Sequence, residues 1–227
     1  MRRGRDEADV LTKSEGQFPL RLVARDLTCQ RGGRIVFRDV SFSLDAGEVL
    51  VVTGPNGAGK SSLLRQLAGL VDVAAGRIFL EGGQTDATLA EQAHYIGHLD
   101  ALKAAMSVRE TAEFWAGFLG GTQENIDRAF EVFDVAPLRD LPVAYLSAGQ
   151  RRRLTLSRLL IAPRALWLLD EPSVALDAAS LERLVSAMEA HLAGGGLIVA
   201  ATHQPLGFVR SRSLDLVSVS AVMEIGA

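Results

Sequence analysis

The chain has 227 residues, 48% hydrophobic and 22% charged, with 24 basic against 27 acidic residues and a formal net charge of −3. This length and apolar content build one globular domain with a real core and exclude disorder and a collagen-like chain. The balance of charge gives no whole-chain drive towards nucleic acid, and Cys29 as the single cysteine excludes an intrachain disulfide and a cysteine zinc cluster, so the cytosol is the default compartment.

Residues 1–18 mix arginines and acids without the apolar run of an export signal, and are expected to form a flexible tail ahead of one domain over residues 19–227. No stretch approaches the roughly 20 apolar residues that cross a bilayer. From Arg21 to Leu44 short alternating apolar runs, with Val40, Phe42 and Leu44 on one side and Gly32-Gly33 at a turn, predict a hairpin in an antiparallel sheet. Glu48 to Thr53 predicts a short apolar strand, followed by a glycine loop and a helix from Lys60 to Leu67.

Between about residues 84 and 163 the pattern is mostly helical and predicts a helical subdomain around a strand at Ala93 to Ile96. Ser107 to Glu110 reads as a capping box before Phe114, Trp115 and Phe118, which are expected in the helix core. Ser147 to Gln150 reads as another, opening a leucine-rich helix that stops at Pro163. Ala165 to Leu169 and Leu197 to Ala201 are continuous apolar strands separated by a helix over about Ser180 to Ala193, which predicts an α/β sheet with a helical insertion.

Gly54-Pro55-Asn56-Gly57-Ala58-Gly59-Lys60-Ser61, with Ser62 behind it, fits G-x-x-x-x-G-K-[ST] between a strand and a helix. Such a loop turns backbone N–H groups onto phosphate oxygens, Lys60 neutralises the β and γ phosphates and the Ser61 hydroxyl ligates Mg²⁺. The apolar strand ending in Asp170-Glu171 supplies the other half of a phosphoryl-transfer site, with Asp170 to anchor Mg²⁺ and Glu171 to orient or deprotonate the attacking water. His203, just after a third strand, is placed to reach the γ-phosphate.

Between those halves lies Leu146-Ser147-Ala148-Gly149-Gln150, similar to the signature motif of the ATP-binding-cassette (ABC) ATPases. Asp170-Glu171-Pro172, Ser173 to Asp177 and Thr202-His203 then resemble that family's acidic strand end, D-loop and switch histidine in the family's order, so the resemblance runs from about Leu20 to Leu206. It implies a P-loop NTPase (RecA-like) nucleotide-binding domain with an antiparallel β subdomain and a helical subdomain, ATP and Mg²⁺ as cofactors, and head-to-tail pairing in which Ser147, Ala148, Gly149 and Gln150 close on the ATP of a second copy. A homodimer satisfies this with one gene. Arg151, Arg152, Arg153 and Arg158 on the same helix read either as an anion-binding patch or as a solvated, salt-bridged face.

Two positions depart from the family pattern. The glutamine expected after the strand at Ala93 to Ile96 is replaced by His98, while Gln92 lies before that strand; and the aromatic residue expected against adenine falls near Arg31, whose guanidinium can stack instead. Gly97-His98, Leu102-Lys103, the arginine run and Thr202 to Leu206 resemble the ATP-binding subunits of haem exporters in bacterial cytochrome c maturation. The resemblance implies integral membrane permease subunits as partners, a peripheral location at the cytoplasmic face of the inner membrane, and no nucleic acid. No C-x-x-C-H occurs, so direct haem ligation is not expected. The alternatives are an ABC ATPase serving another export, such as of a drug or lipid, and a soluble regulatory ABC protein.

Overall fold

Gly32 and Gly33, at φ 55° and 78°, turn the chain between β1 (Arg21–Arg31) and β2 (Arg34–Asp45), the left-handed geometry that a two-residue hairpin loop needs. The structure, a computed structural model, describes residues 19–202 and 211–216; the predicted N-terminal tail and His203 lie outside them. After the hairpin come β3 (Val49–Thr53), α1 (Lys60–Leu67), β4 (Ala75–Glu81) and β5 (Ala93–Ile96). Helices α2 (Val108–Leu119), α3 (Gln123–Val132) and α4 (Ala148–Ile161) follow, then β6 (Leu166–Asp170), α5 (Ala178–Ala193), β7 (Leu197–Ala201) and β8 (Ser211–Asp215).

The strands form two sheets. One is antiparallel in the order β2-β1-β4; the other is parallel in the order β5-β6-β7-β3-β8. Every residue of β6 and β7 is buried because both faces of the parallel sheet are covered. Leu166, Leu168, Leu197 and Val199 pack on one face with α1 and the antiparallel sheet, while Trp167, Leu169, Ile198 and Ala200 pack on the other with Leu156 and Leu159 of α4 and Leu184 and Met188 of α5.

A separate core holds α2, α3 and α4 together through Val108, Ala112, Trp115, Ile126, Phe130, Leu154 and Ile161. The capping boxes at Ser107 and Ser147 both form, tying down the N–H groups that a helix start leaves orphaned. One expectation fails here: Trp115 is buried, but Phe114 and Phe118 are 52% and 77% exposed. The buried stripe of α2 runs through Val108, Thr111, Ala112, Trp115 and Ala116, and positions 114 and 118, four residues apart, share a face to one side of it. Their rings stack on each other at 6.0 Å, with the Lys103 ammonium 5.7 Å from the Phe114 centroid. Among the described residues no helix is long and apolar enough to cross a membrane.

Candidate functional site

Strand register carries the chemistry to one edge of the parallel sheet. Val52 of β3 pairs with Ala201 of β7 and Ala201 with Asp170 of β6, while Ile96 of β5 pairs with Leu169. The glycine loop, Asp170-Glu171, Thr202 and Gly97-His98 therefore leave the sheet side by side at its carboxyl ends, where open α/β sheets take their ligands.

A cavity of ≈ 480 Å³ opens there. Asn56, Gly57, Gly59, Lys60, Ser61 and Ser62 line it from the loop and the start of α1, Asp170 and Glu171 from the end of β6 and the turn after it, and Arg31, Arg65 and His98 line it as well. Gly59, at φ 101°, is the N-cap of α1 and offers no side-chain cap, so the first-turn N–H groups and the positive end of the helix face a ligand. A Cβ at Gly59 would lie 2.6 Å from Val36 Cγ1 and 2.9 Å from Phe37 Cδ1, so the antiparallel sheet pins the loop from beneath. Lys60, 8% exposed, donates from Nζ to the carbonyls of Gly54 at 2.7 Å and Pro55 at 3.1 Å, arching its own loop.

Ser61 Oγ donates to Asp170 Oδ1 at 3.0 Å, and the Tyr95 hydroxyl donates to Asp170 Oδ2 at 3.3 Å while accepting from Arg65 Nε at 3.2 Å. Burial, the largest influence on Tyr95, pushes its phenol pKa up, keeping the proton that this bond to Asp170 requires. A hydroxyl and a carboxylate brought together at the phosphate loop are the hard oxygen donors that Mg²⁺ takes. Glu171 follows at φ 48°, with its N–H donating to Ala201 O at 2.8 Å.

The signature residues do not join this cavity within one chain. Ser147 and Ala148 are exposed at the start of α4, where Ser147 Oγ accepts from the Gln150 N–H at 3.2 Å and Gln150 Oε1 accepts from the Ser147 N–H at 2.8 Å. Gln92 is also elsewhere: it is buried, and its amide binds the backbone of Gln84, Ala87 and Thr88. His98 takes the cavity position that the spacing predicted, and Arg31 lies there too.

Neither reading of the arginine run describes Arg152 or Arg158. Arg152 is 3% exposed, with its guanidinium on backbone carbonyls; Arg158 donates to Tyr95 O and lies over the Trp115 ring. Arg152 also pairs with Asp100, but from a buried position, whereas Arg153 makes the expected surface salt bridge, to Asp134. Arg65 could have been found from the sequence, since it sits one helical turn beyond Ser61. Tyr95 and Arg152 carried no such signal.

A family model described as "ABC transporter" matches residues 37–174. The "Cytochrome c biogenesis ATP-binding export protein CcmA" of Rhodopseudomonas palustris (strain BisB5) is 54% identical over 186 residues, 82% of this chain and 93% of the relative. The protein of the same description from Nitrobacter winogradskyi is 52% identical over 197 residues, 87% and 98% of the two chains. The chain belongs to the ABC transporter family.

Solved members of the family share its fold. A putative ABC transporter ATP-binding protein from Pyrococcus furiosus superposes with a TM-score of 0.75 at 22% identity, covering 88% of this chain and 99% of the other. An ATP-binding subunit of an ABC transporter gives 0.73 at 25% identity over 80% and 79%. As an ABC domain the chain binds ATP and acts as an ATPase, with the antiparallel sheet, parallel sheet and helices in the arrangement predicted.

Proposed function

We propose that this ATPase is the energy-coupling subunit of an exporter handling haem in c-type cytochrome biogenesis, working as a homodimer docked on integral membrane permease subunits at the cytoplasmic face of the inner membrane. The bond between Ser61 and Asp170, beside Lys60 and Glu171, is the observation that carries the chemistry. The shared description of the relatives supports the biological role.

The N–H groups of Gly57 to Ser62 and the Lys60 ammonium hold the β and γ phosphates of ATP. Ser61 and Asp170 would hold Mg²⁺, which supplies charge neutralisation on those oxygens. The Glu171 carboxylate orients water in line with the γ-phosphorus and takes its proton as the new P–O bond forms and the bond to ADP breaks. His98, which lines the cavity, would accept a hydrogen bond from water beside the phosphates, and by the family resemblance the γ-phosphate contact would fall to His203. Ser147 to Gln150 present the α4 N-terminus to the γ-phosphate held by the second copy, which accounts for their exposure outside their own chain's cavity.

The membrane subunits engage the face carrying Phe114 and Phe118. Two exposed rings on one helix face are costly to leave in water, and Lys103 on Phe114 belongs to the same loop as His98 in the cavity. Deleting the gene tests the role: covalent c-type cytochromes should disappear and return with the wild-type gene but not with Lys60→Ala. Normal cytochrome assembly in the deletion strain would overturn it.

A further inference from the structure

Arg152 lies on α4, beyond the signature residues, and its guanidinium bridges two other segments. Nε donates to Pro172 O at 3.3 Å, and Nη2 to Asp170 O at 3.4 Å and Glu171 O at 2.8 Å. Nη1 donates to Gly97 O at 2.8 Å and to Asp100 Oδ1 at 3.4 Å. One buried side chain thus holds three consecutive carbonyls around Glu171 together with the loop that carries His98.

The turn it grips is strained. Glu171 sits at φ 48°, a left-handed conformation that a residue with a Cβ keeps only where its surroundings hold it. The Glu171 N–H is fixed by Ala201 O and its carbonyl by Arg152, so the two peptide planes that flank its Cα are both held and with them the direction in which the side chain leaves the backbone. A guanidinium suits this task because its donors form a rigid planar fork, which an ammonium lacks. Asp100, its side chain 22% exposed, is the ion-pair partner in the salt bridge and belongs to the segment between His98 and Lys103.

We propose that Arg152 is the positioning residue for Glu171 in ATP hydrolysis, and that Asp100 makes its grip depend on the place of the His98–Asp100 loop. Arg152 touches no reacting atom; it acts through the backbone of residues 170–172. Movement of the loop draws Asp100 and the Gly97 carbonyl away from Nη1 and loosens the turn that aims the carboxylate. The proposal rests on Glu171 as the residue that activates water.

The test is steady-state hydrolysis and equilibrium ATP binding by purified full-length protein carrying Arg152→Lys, Asp100→Asn or both. Arg152→Lys should lower kcat at least tenfold while the ATP dissociation constant stays within twofold, because the phosphate loop is untouched. Asp100→Asn should lower kcat three- to fivefold, with the double variant no slower than Arg152→Lys alone, the non-additivity expected of residues acting through one contact. An unchanged kcat in Arg152→Lys, or kcat and ATP affinity falling in parallel with the melting temperature, would overturn the positioning role. Should Arg152→Lys fail to fold, Asp100→Asn decides alone: a lower kcat at constant ATP affinity supports the proposal and an unchanged kcat refutes it. Wild-type protein that hydrolyses no ATP would instead refute the functional reading beneath it.

Discussion

Ser61 and Asp170 are 109 positions apart in sequence and share a hydrogen bond of 3.0 Å. That bond closes the phosphate loop onto the acidic end of β6, and Tyr95 fixes the other carboxylate oxygen from the neighbouring strand. The Mg²⁺ requirement should therefore respond to both residues. If Ser61 and Asp170 hold Mg²⁺ as proposed, Ser61→Ala removes a ligand and Tyr95→Phe an outer support, and each should raise the Mg²⁺ concentration for half-maximal ATPase about tenfold or more. ATP binding measured in EDTA should change less than twofold, and an unshifted Mg²⁺ titration in Ser61→Ala would place the metal elsewhere.

The proposed pairing of two chains would set the exposed start of α4 against a second copy. Sedimentation should show Glu171→Gln protein shifting from monomer to dimer on adding Mg²⁺ and ATP, and the further change Ser147→Arg should abolish the shift by setting an unpaired charge against the partner. A monomer at saturating ATP, with the membrane subunits present or absent, would contradict the sandwich.

Two histidines, buried His94 and half-buried His191, should make the fold acid-sensitive. Burial, the largest influence in each case, lowers the pKa of His94 to about 3 and that of His191, stacked on Trp167, to about 4. Each ring stays neutral in the folded protein while its unfolded counterpart gains a proton near pH 6.5. The unfolded state then binds more protons, so stability is full above about pH 6.5 and falls as pH drops towards the folded values, by roughly 1.4 kcal/mol per pH unit for each histidine. Denaturant titrations at pH 7 and pH 5 should show this, with His94→Gln lessening the slope. Equal slopes in the two proteins would contradict the assignment.

The exposed Phe114–Phe118 pair should matter to assembly and not to chemistry. Phe118→Asp should leave ATP hydrolysis by the isolated chain within twofold of wild type while reducing the membrane subunits recovered with it from detergent extracts at least fivefold. Full recovery would remove this face from the docking site.

Much of the fold was legible because it is written in contiguous runs. The helix at Lys60–Leu67 and the strand at Leu197–Ala201 have the predicted bounds, one starting at the phosphate motif and the other fully apolar because both its faces are covered. β4 and β8 escaped notice: Ala75–Glu81 is a half-exposed edge strand and Ser211–Asp215 pairs only with β3, leaving one apolar residue among polar ones. Apolar periodicity reports burial, and these edge strands bury only a few side chains, Ile78, Leu80 and Leu214, against the core.

The site divides in the same way. The loop and the Asp170-Glu171 pair are local motifs with a stated chemistry, so their meeting at one sheet edge could be foreseen. Tyr95 and Arg152 act through contacts 75 and 55 positions distant, to Asp170 and Gly97, and nothing local distinguishes them from a core tyrosine and a surface arginine. Phe114 and Phe118 misled because hydrophobicity alone does not say which face of a helix meets the core.

Turnover by Glu171→Gln protein tests the catalytic account most directly. Purified wild-type and variant protein should be compared for hydrolysis of Mg²⁺-ATP and for nucleotide retained after rapid gel filtration. Replacing the carboxylate by an amide should lower kcat about a hundredfold or more, roughly 3 kcal/mol of transition-state stabilisation, while ATP remains bound and uncleaved. Near-normal turnover in the variant would contradict the assignment of Glu171 as the group that activates water.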